Sequence, residues 1–76
     1  MTVKLLDTVV LARDIPENSL KKGDVGAVVE VCPPDGVEVE FVTGSGHRQA
    51  LIALKDSDIR PVGAAEILAV REVDAA

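Results

Sequence analysis

The stretch KGDVGAVVEV (residues 22–31), followed by the turn PPDG (residues 33–36) and the stretch VEVEFV (residues 37–42), decides the fold of this chain. Gly23 and Gly26 allow a positive φ or a close backbone approach where the first stretch begins. In the turn, proline presets φ and Asp-Gly suits the positions that follow. These signals predict a β-hairpin that the chain enters through a sharp bend.

Alternation of apolar and polar residues predicts which side of the hairpin faces the core. On its second strand, Val37, Val39 and Phe41 face inward, whereas Glu38 and Glu40 face water. A shift of one residue would bury both carboxylates, so the register is strongly specified. On the first strand the predicted core residues are Ala27, Val29 and Val31, and the predicted outer residues are Val28, Glu30 and Cys32.

Further β-branched or alternating runs predict three more strands. They cover residues 7–12, 47–54 and 59–62, and the last is an edge strand because it contains Pro61. Residues 55–58 are predicted to form one 3₁₀ turn. The predicted core residues of the fourth strand are Ala50, Ile52 and Leu54.

The connecting and terminal segments complete the predicted fold. Ile15 and Leu20 are expected to pin a polar loop, residues 13–22, onto the sheet. The residues after the last strand combine the alanine content of a helix with the Val and Ile of a strand, and we expect a short helix with an extra strand as the alternative. The fold class is therefore all-β, a small SH3-like five-stranded barrel over residues 1–62 with a short C-terminal tail over residues 63–76.

The composition limits the classes of protein and of partner. The chain has 76 residues and one cysteine, so we expect a single domain with no intramolecular disulfide and a cytoplasmic location. No apolar run approaches the roughly 20 residues that span a bilayer, and no membrane partner is expected. The net charge of -5 repels phosphate backbones, which makes nucleic acid an unfavoured partner.

Four stretches carry a resemblance to a known family: LDTVVL (residues 6–11), LKKGDVGAVVEV (residues 20–31), VEVEF (residues 37–41) and IRPV (residues 59–62). On these stretches the chain closely resembles the bacterial domain of unknown function 4926 family, over roughly residues 5–62. The resemblance implies an SH3-like β-barrel and no established activity. A looser similarity, through Gly23, Gly26 and residues 28–31, is to the KOW motif of ribosomal proteins and transcription elongation factors.

The residue types that carry chemistry do not form a recognisable set in this sequence. His47 and Arg48 lie beside Ser45 in a turn, but no nucleophile with an orienting base is recognisable near them. Cys32 is interpreted as a small apolar residue. We therefore expect no catalytic residue, no metal site and no cofactor.

An apolar strip on the outer side of the hairpin, together with the apolar residues of the tail, predicts an interaction surface. The acidic outer face of the hairpin is included in it. The predicted interaction residues are Val28, Glu38, Glu40, Val42, Ile67, Leu68 and Val70.

Three functions are compatible with this sequence. The leading hypothesis is a non-enzymatic module that contacts a protein partner or associates with itself; one form of it is an antitoxin-like partner of a neighbouring gene product. The second is a KOW-like nucleic-acid or ribosome-associated module, although the basic residues and exposed aromatics for this are missing. The third is an accessory domain of an enzyme, which a pocket gathering His47, Arg48 and a carboxylate would favour.

Overall fold

The computed structural model describes residues 3–73, and within them five strands form one antiparallel sheet in the order β4-β3-β2-β1-β5. The strands are β1 (Thr8–Leu11), β2 (Val25–Cys32), β3 (Gly36–Val42), β4 (Arg48–Lys55) and β5 (Ile59–Pro61), and 3₁₀ turns occupy Pro16–Asn18 and Asp56–Asp58. The predicted all-β fold and its strands are confirmed. β4 and β5 lie at opposite edges and do not pair, so the hydrogen-bonded sheet is open. Residues 3–73 contain no helix with the length and hydrophobicity to cross a membrane.

The loop between β1 and β2 is pinned to the sheet as predicted. Ile15 and Leu20 are both buried, and their backbones exchange hydrogen bonds of 2.9 and 3.1 Å that close the neck of the loop. The 3₁₀ turn lies between them, and Ser19 completes it with a left-handed φ of 58°. The loop therefore packs against the sheet, and its residues Ile15 and Leu20 belong to the core.

The core is built on β1, β3 and β4 from small aliphatic side chains around one ring. Val37, Val39 and Phe41 are at most 3% exposed, so the predicted inner face of β3 is confirmed. On β4, Ala50 and Leu54 are buried as predicted, whereas Ile52 is only partly buried. The other buried apolar residues include Val9, Val10, Leu11, Val28 and Ile59.

The predicted core residues of β2 are wrong, whereas Glu30 and Cys32 are exposed as predicted. Val28, predicted to lie on the outer side and in the interaction surface, is fully buried, whereas Val31 is 38% exposed. The pairing of β2 with β3 shifts register between Val28 and Glu30, which marks a β-bulge. A bulge adds a residue to one strand, so alternation counted across it assigns side chains to the wrong face.

Gly26 lies in the part of β2 before the bulge, where the side that carries Val28 faces the core. A Cβ atom at this position would lie 2.6 Å from Cγ1 of Val39 and 2.8 Å from Cε1 of Phe41, closer than carbon atoms can approach. The absence of a side chain therefore lets the inner face of β3 pack directly on the β2 backbone. Gly23 serves the bend that precedes β2, with a φ of +96°.

The predicted conformation of the tail is also wrong for residues 63–73, and residues 74–76 lie outside the described residues. Residues 63–73 form a turn at residues 64–65 and then neither a helix nor a strand. Glu66 N–H donates to the Gly63 carbonyl over 3.0 Å, a bond between residues three apart that the following residues do not continue into a helix. Side-chain ion pairs to the sheet determine the path of the tail instead, and the expected helix or strand is replaced by an irregular segment.

Replacing Gly26 with alanine is expected to lower the free energy of unfolding by about 1–3 kcal/mol, because the added methyl group overpacks the contact with Val39 and Phe41. Urea unfolding monitored by circular dichroism measures the change. Gly44→Ala is the matched control, since a Cβ there meets nothing within 4 Å, and its effect should stay within about 0.5 kcal/mol. Equal effects of the two substitutions would contradict the close approach at Gly26.

Candidate functional site

The tail is tied to the sheet at its beginning by a two-pronged ion pair. Both terminal nitrogens of Arg60, on β5, donate to the two carboxylate oxygens of Glu66 over 2.7 and 2.8 Å. Oε1 of Glu66 also accepts a hydrogen bond from the Gly63 N–H. Because two parallel bonds fix orientation as well as distance, the start of the tail has a defined position on β5.

A second two-pronged ion pair ties the end of the tail to the turn before β2. Nε and one terminal nitrogen of Arg71 donate to the two carboxylate oxygens of Asp24 over 2.8 and 2.6 Å. The same terminal nitrogen donates to the Ser19 carbonyl over 2.9 Å. The residues between the two ion pairs, residues 67–70, therefore form a bridge that is held at both ends, and we call them the bridge segment.

Asp24 is positioned by the turn that it closes. One of its carboxylate oxygens accepts the Lys21 N–H over 2.8 Å, and its backbone N–H donates to the Lys21 carbonyl over 2.9 Å. Partial burial by itself raises the pKa of Asp24, but hydrogen bonds from Arg71 and Lys21 outweigh it, so the pKa is lowered. Asp24 is therefore ionised at neutral pH and can form the ion pair with Arg71.

An open groove of about 630 Å³ lies between the bridge segment and the sheet. One wall includes Val25, Phe41 and Val42 of the sheet with Leu20 of the β1–β2 loop, and the tail contributes Leu68, Val70 and the residues up to Val73. Ile67 and Val70 are 90% and 98% exposed, and Leu68 and Val42 are more than half exposed. The tail thus lies across the apolar wall that the sheet and the β1–β2 loop form, and it presents apolar side chains of its own to water.

The structure brings together some of the predicted interaction residues and separates others. Val42, Leu68 and Val70 line the same groove, and Ile67 begins the bridge segment beside them. Val28 lies in the core and takes no part in a surface.

The two predicted glutamates lie on the outer face of β3. Glu40 forms an ion pair of 2.8 Å with Arg48, while Glu38 lies directly opposite Glu30 of β2. The unneutralised part of this face is therefore the pair Glu30 and Glu38.

The other chemically interesting residues do not converge. His47 is exposed, and neither His47 nor Arg48 lines the groove or the second open cavity, of about 650 Å³, where Cys32 and the ion pair of Arg13 with Asp58 lie. Within residues 3–73 no group of three or more His, Cys, Asp or Glu side chains is arranged to hold a metal ion.

All arginines of the chain are occupied by carboxylates. Arg13 pairs with Asp58, and the other ion pairs are Arg48 with Glu40, Arg60 with Glu66 and Arg71 with Asp24. The N···O distances are 2.6–2.8 Å. A ligand anion would have to compete with an internal carboxylate at Arg60 and Arg71, whereas Arg13 and Arg48 use only Nε in their ion pairs.

Sequence reasoning missed Asp24 and Arg71 as the residues that organise the site. They are 47 positions apart, and a carboxylate so far along the chain cannot be matched to its arginine without the fold. One feature of the sequence could have pointed to Arg71: it is the only basic residue after Arg60, in a segment otherwise rich in apolar residues.

Acidification is expected to release the bridge segment. The folded protein lowers the pKa of Asp24 through the balance of burial and hydrogen bonds given above, and that of Glu66 chiefly through the hydrogen bond from Arg60. A carboxyl group whose pKa is lowered by folding stabilises the folded state at pH values above its ordinary pKa, and this stabilisation is lost as the pH falls. The ion pairs of Asp24 and Glu66 should therefore weaken below about pH 4. Amide resonances of residues 66–71, followed by NMR from pH 7 to pH 3, should move toward random-coil positions before those of the sheet.

Asp24→Asn provides the control for this titration. The amide keeps a hydrogen-bond acceptor for the Lys21 N–H but has no charge for Arg71, so the end of the bridge segment should already be loose at pH 7. Spectra of this variant that overlay the wild type at pH 7 in residues 68–71 would contradict the role of the ion pair.

Comparisons with known proteins identify a family and no relative of known activity. A family model described as a domain of unknown function (DUF4926) matches residues 5–61, which include all five strands. No curated protein matches the chain. No solved structure matches it either. The chain therefore belongs to the DUF4926 family.

Proposed function

We propose that this domain is a non-enzymatic protein-interaction module that binds another protein through the bridge segment and the neighbouring Val42. The observation that carries the proposal is the exposure of Ile67 and Val70 on a segment that ion pairs hold at both ends. On a free tail, such side chains would lose conformational freedom when a partner binds. Here the ion pairs at Glu66 and Arg71 anchor the backbone on both sides of the two exposed side chains, so less ordering is needed and the segment suits a preorganised binding surface.

The surface suits a partner with aliphatic or aromatic side chains. Burial of an Ile or a Val side chain contributes about 1.5–3 kcal/mol, so the two residues together supply a substantial part of a micromolar affinity. Glu66 and Arg71 flank the bridge segment but are neutralised by Arg60 on β5 and by Asp24 in the turn before β2. Contacts at the centre of the surface are therefore apolar, and we place the protein and its partner in the cytoplasm, which the single free cysteine supports. One form of the proposal is an antitoxin-like pairing with the product of a neighbouring gene.

The nucleic-acid alternative has less support. Phosphate binding depends on free Lys and Arg side chains that can release counterions. The arginines of this chain are all engaged by carboxylates, and the chain as a whole carries a net charge of -5. A KOW-like role would have to rest on the lysines and on the guanidinium nitrogens outside the ion pairs, against the net negative charge of the chain. The enzyme-accessory role has less support still, because neither open cavity found within residues 3–73 is lined by His47 or Arg48.

The double substitution Ile67→Ser with Val70→Ser tests the proposal. Tagged full-length protein, expressed in its native cells, should recover a partner whose yield falls at least about tenfold with the double variant, since each substitution removes about 1.5 kcal/mol or more of apolar burial. Isothermal titration of the purified partner against both proteins then gives the change in Kd.

Leu5→Ser is the matched control, because Leu5 is also exposed and apolar but lies far along the chain from the tail. It should leave recovery and Kd unchanged. Equal recovery of the same proteins by the wild type and the double variant would overturn the proposal. Salt-sensitive binding of the wild type to mixed RNA would favour the KOW-like alternative instead.

A further inference from the structure

The two edges of the sheet differ in how well they are protected against pairing with another strand. β5 has three residues and ends at Pro61, which has no N–H to offer. β4 has eight residues, and its centre, ALIAL at residues 50–54, contains neither a charge nor a proline. Long uncharged edge strands are the ones that pair with other chains.

One hydrogen bond identifies which backbone groups of β4 point away from the sheet. Asp56 N–H donates to the Asp35 carbonyl over 2.8 Å, at the position that continues the β3–β4 register. In an antiparallel pair the bonded residues alternate, so Leu54 and Ile52 bond to β3. Leu51 and Ala53 therefore point their N–H and C=O groups outward, and no other part of residues 3–73 bonds to them.

The side chains of β4 also indicate a missing neighbour. Ala50 and Leu54 face the core and are 7% and 6% exposed, but Ile52, between them on the same face, is only partly buried. On the opposite face, Leu51 is 40% exposed. An additional strand along the edge would cover both side chains at the centre of β4.

We propose that β4 pairs antiparallel with β4 of a second copy of this chain, with the two-fold axis at Ile52. In this register every residue of the uncharged centre lies opposite another residue of that centre. Ile52 faces Ile52 of the second copy, and Leu51 lies opposite Ala53, so that their outward N–H and C=O groups bond to each other. The interface is isologous, as expected for a symmetric dimer, and it joins the two sheets into one.

A second copy fits this edge better than β5 of a neighbour does. Pairing β4 with β5 would match eight residues with three and would place Pro61 in the ladder. The self-complementary centre of β4 leaves no such mismatch. Gln49 of β4 lines the groove beside the bridge segment, but residues 50–54, the centre of the proposed dimer contact, do not, so the dimer and the partner of the proposed function are tested by different substitutions.

Sedimentation equilibrium of the full chain over a range of micromolar concentrations is the first test. The wild type should approach twice its 8.0 kDa mass. Ala53→Pro removes an outward N–H without touching the β3–β4 ladder and should raise the dimer dissociation constant at least tenfold. Ala64→Pro, in the exposed turn before the bridge segment, is the control and should leave it unchanged. A wild type that stays monomeric up to about 0.5 mM would overturn the proposal. The edge of β4 would then be open to an extended peptide of another protein instead.

Single cysteines resolve the register, in a chain where Cys32→Ser has removed the native thiol. Cα atoms at the two-fold position are about 4.5 Å apart in a non-bonded antiparallel pair, within disulfide range. Ile52→Cys should therefore form a covalent dimer on mild oxidation. Leu51→Cys should not, because strand spacing puts the two copies of residue 51 about 8 Å apart. Cross-linking of both variants to the same extent, or of Leu51→Cys alone, would contradict the proposed pairing even if Ala53→Pro failed to fold.

Discussion

The close packing of β3 on the backbone of β2 at Gly26 is the constraint on which the rest of the structure depends. The ring of Phe41, the only Phe, Tyr or Trp residue of the chain, and the side chain of Val39 occupy the space where any other residue would place its Cβ. β2 also pairs with β1 on its other side, so its path determines the position of both halves of the sheet. The bulge after Val28 then lets the outer end of the hairpin turn its carboxylates to water.

The same region links the fold to the tail. Asp24 closes the turn that leads into β2 and, with the same carboxylate, holds Arg71. Arg60 holds Glu66 in the same two-pronged way at the other end of the tail. Surface ion pairs contribute little to stability one by one, but two-pronged pairs at both ends of a short segment restrict its position. The guanidinium groups of Arg60 and Arg71 thus form ion pairs within the chain, and the side chains that the bridge segment exposes to water are apolar.

The strand pattern was predictable because most of it follows local rules. The PPDG turn, the alternation of β3 and the isolated apolar residues of the β1–β2 loop led to elements that the structure confirms. The face of β2 was not predictable by alternation, since one inserted residue reverses the count and no residue type marks that position. The tail was misassigned for a different reason: its alanine content favours a helix by local propensity. Its ion pairs to Arg60, six residues before Glu66, and to Asp24, 47 residues before Arg71, override that preference.

Backbone order in the tail tests the central claim most directly, namely that the bridge segment is held at both ends as part of the folded domain. NMR order parameters from ¹⁵N relaxation at neutral pH should be close to 0.85, the value of a rigid backbone, across residues 66–71 as well as across β2 and β3. The Nε–H signal of Arg71 should also be protected from exchange by its bond to Asp24. Order parameters below about 0.6 in residues 66–71, with a rapidly exchanging Arg71 Nε–H, would contradict the account.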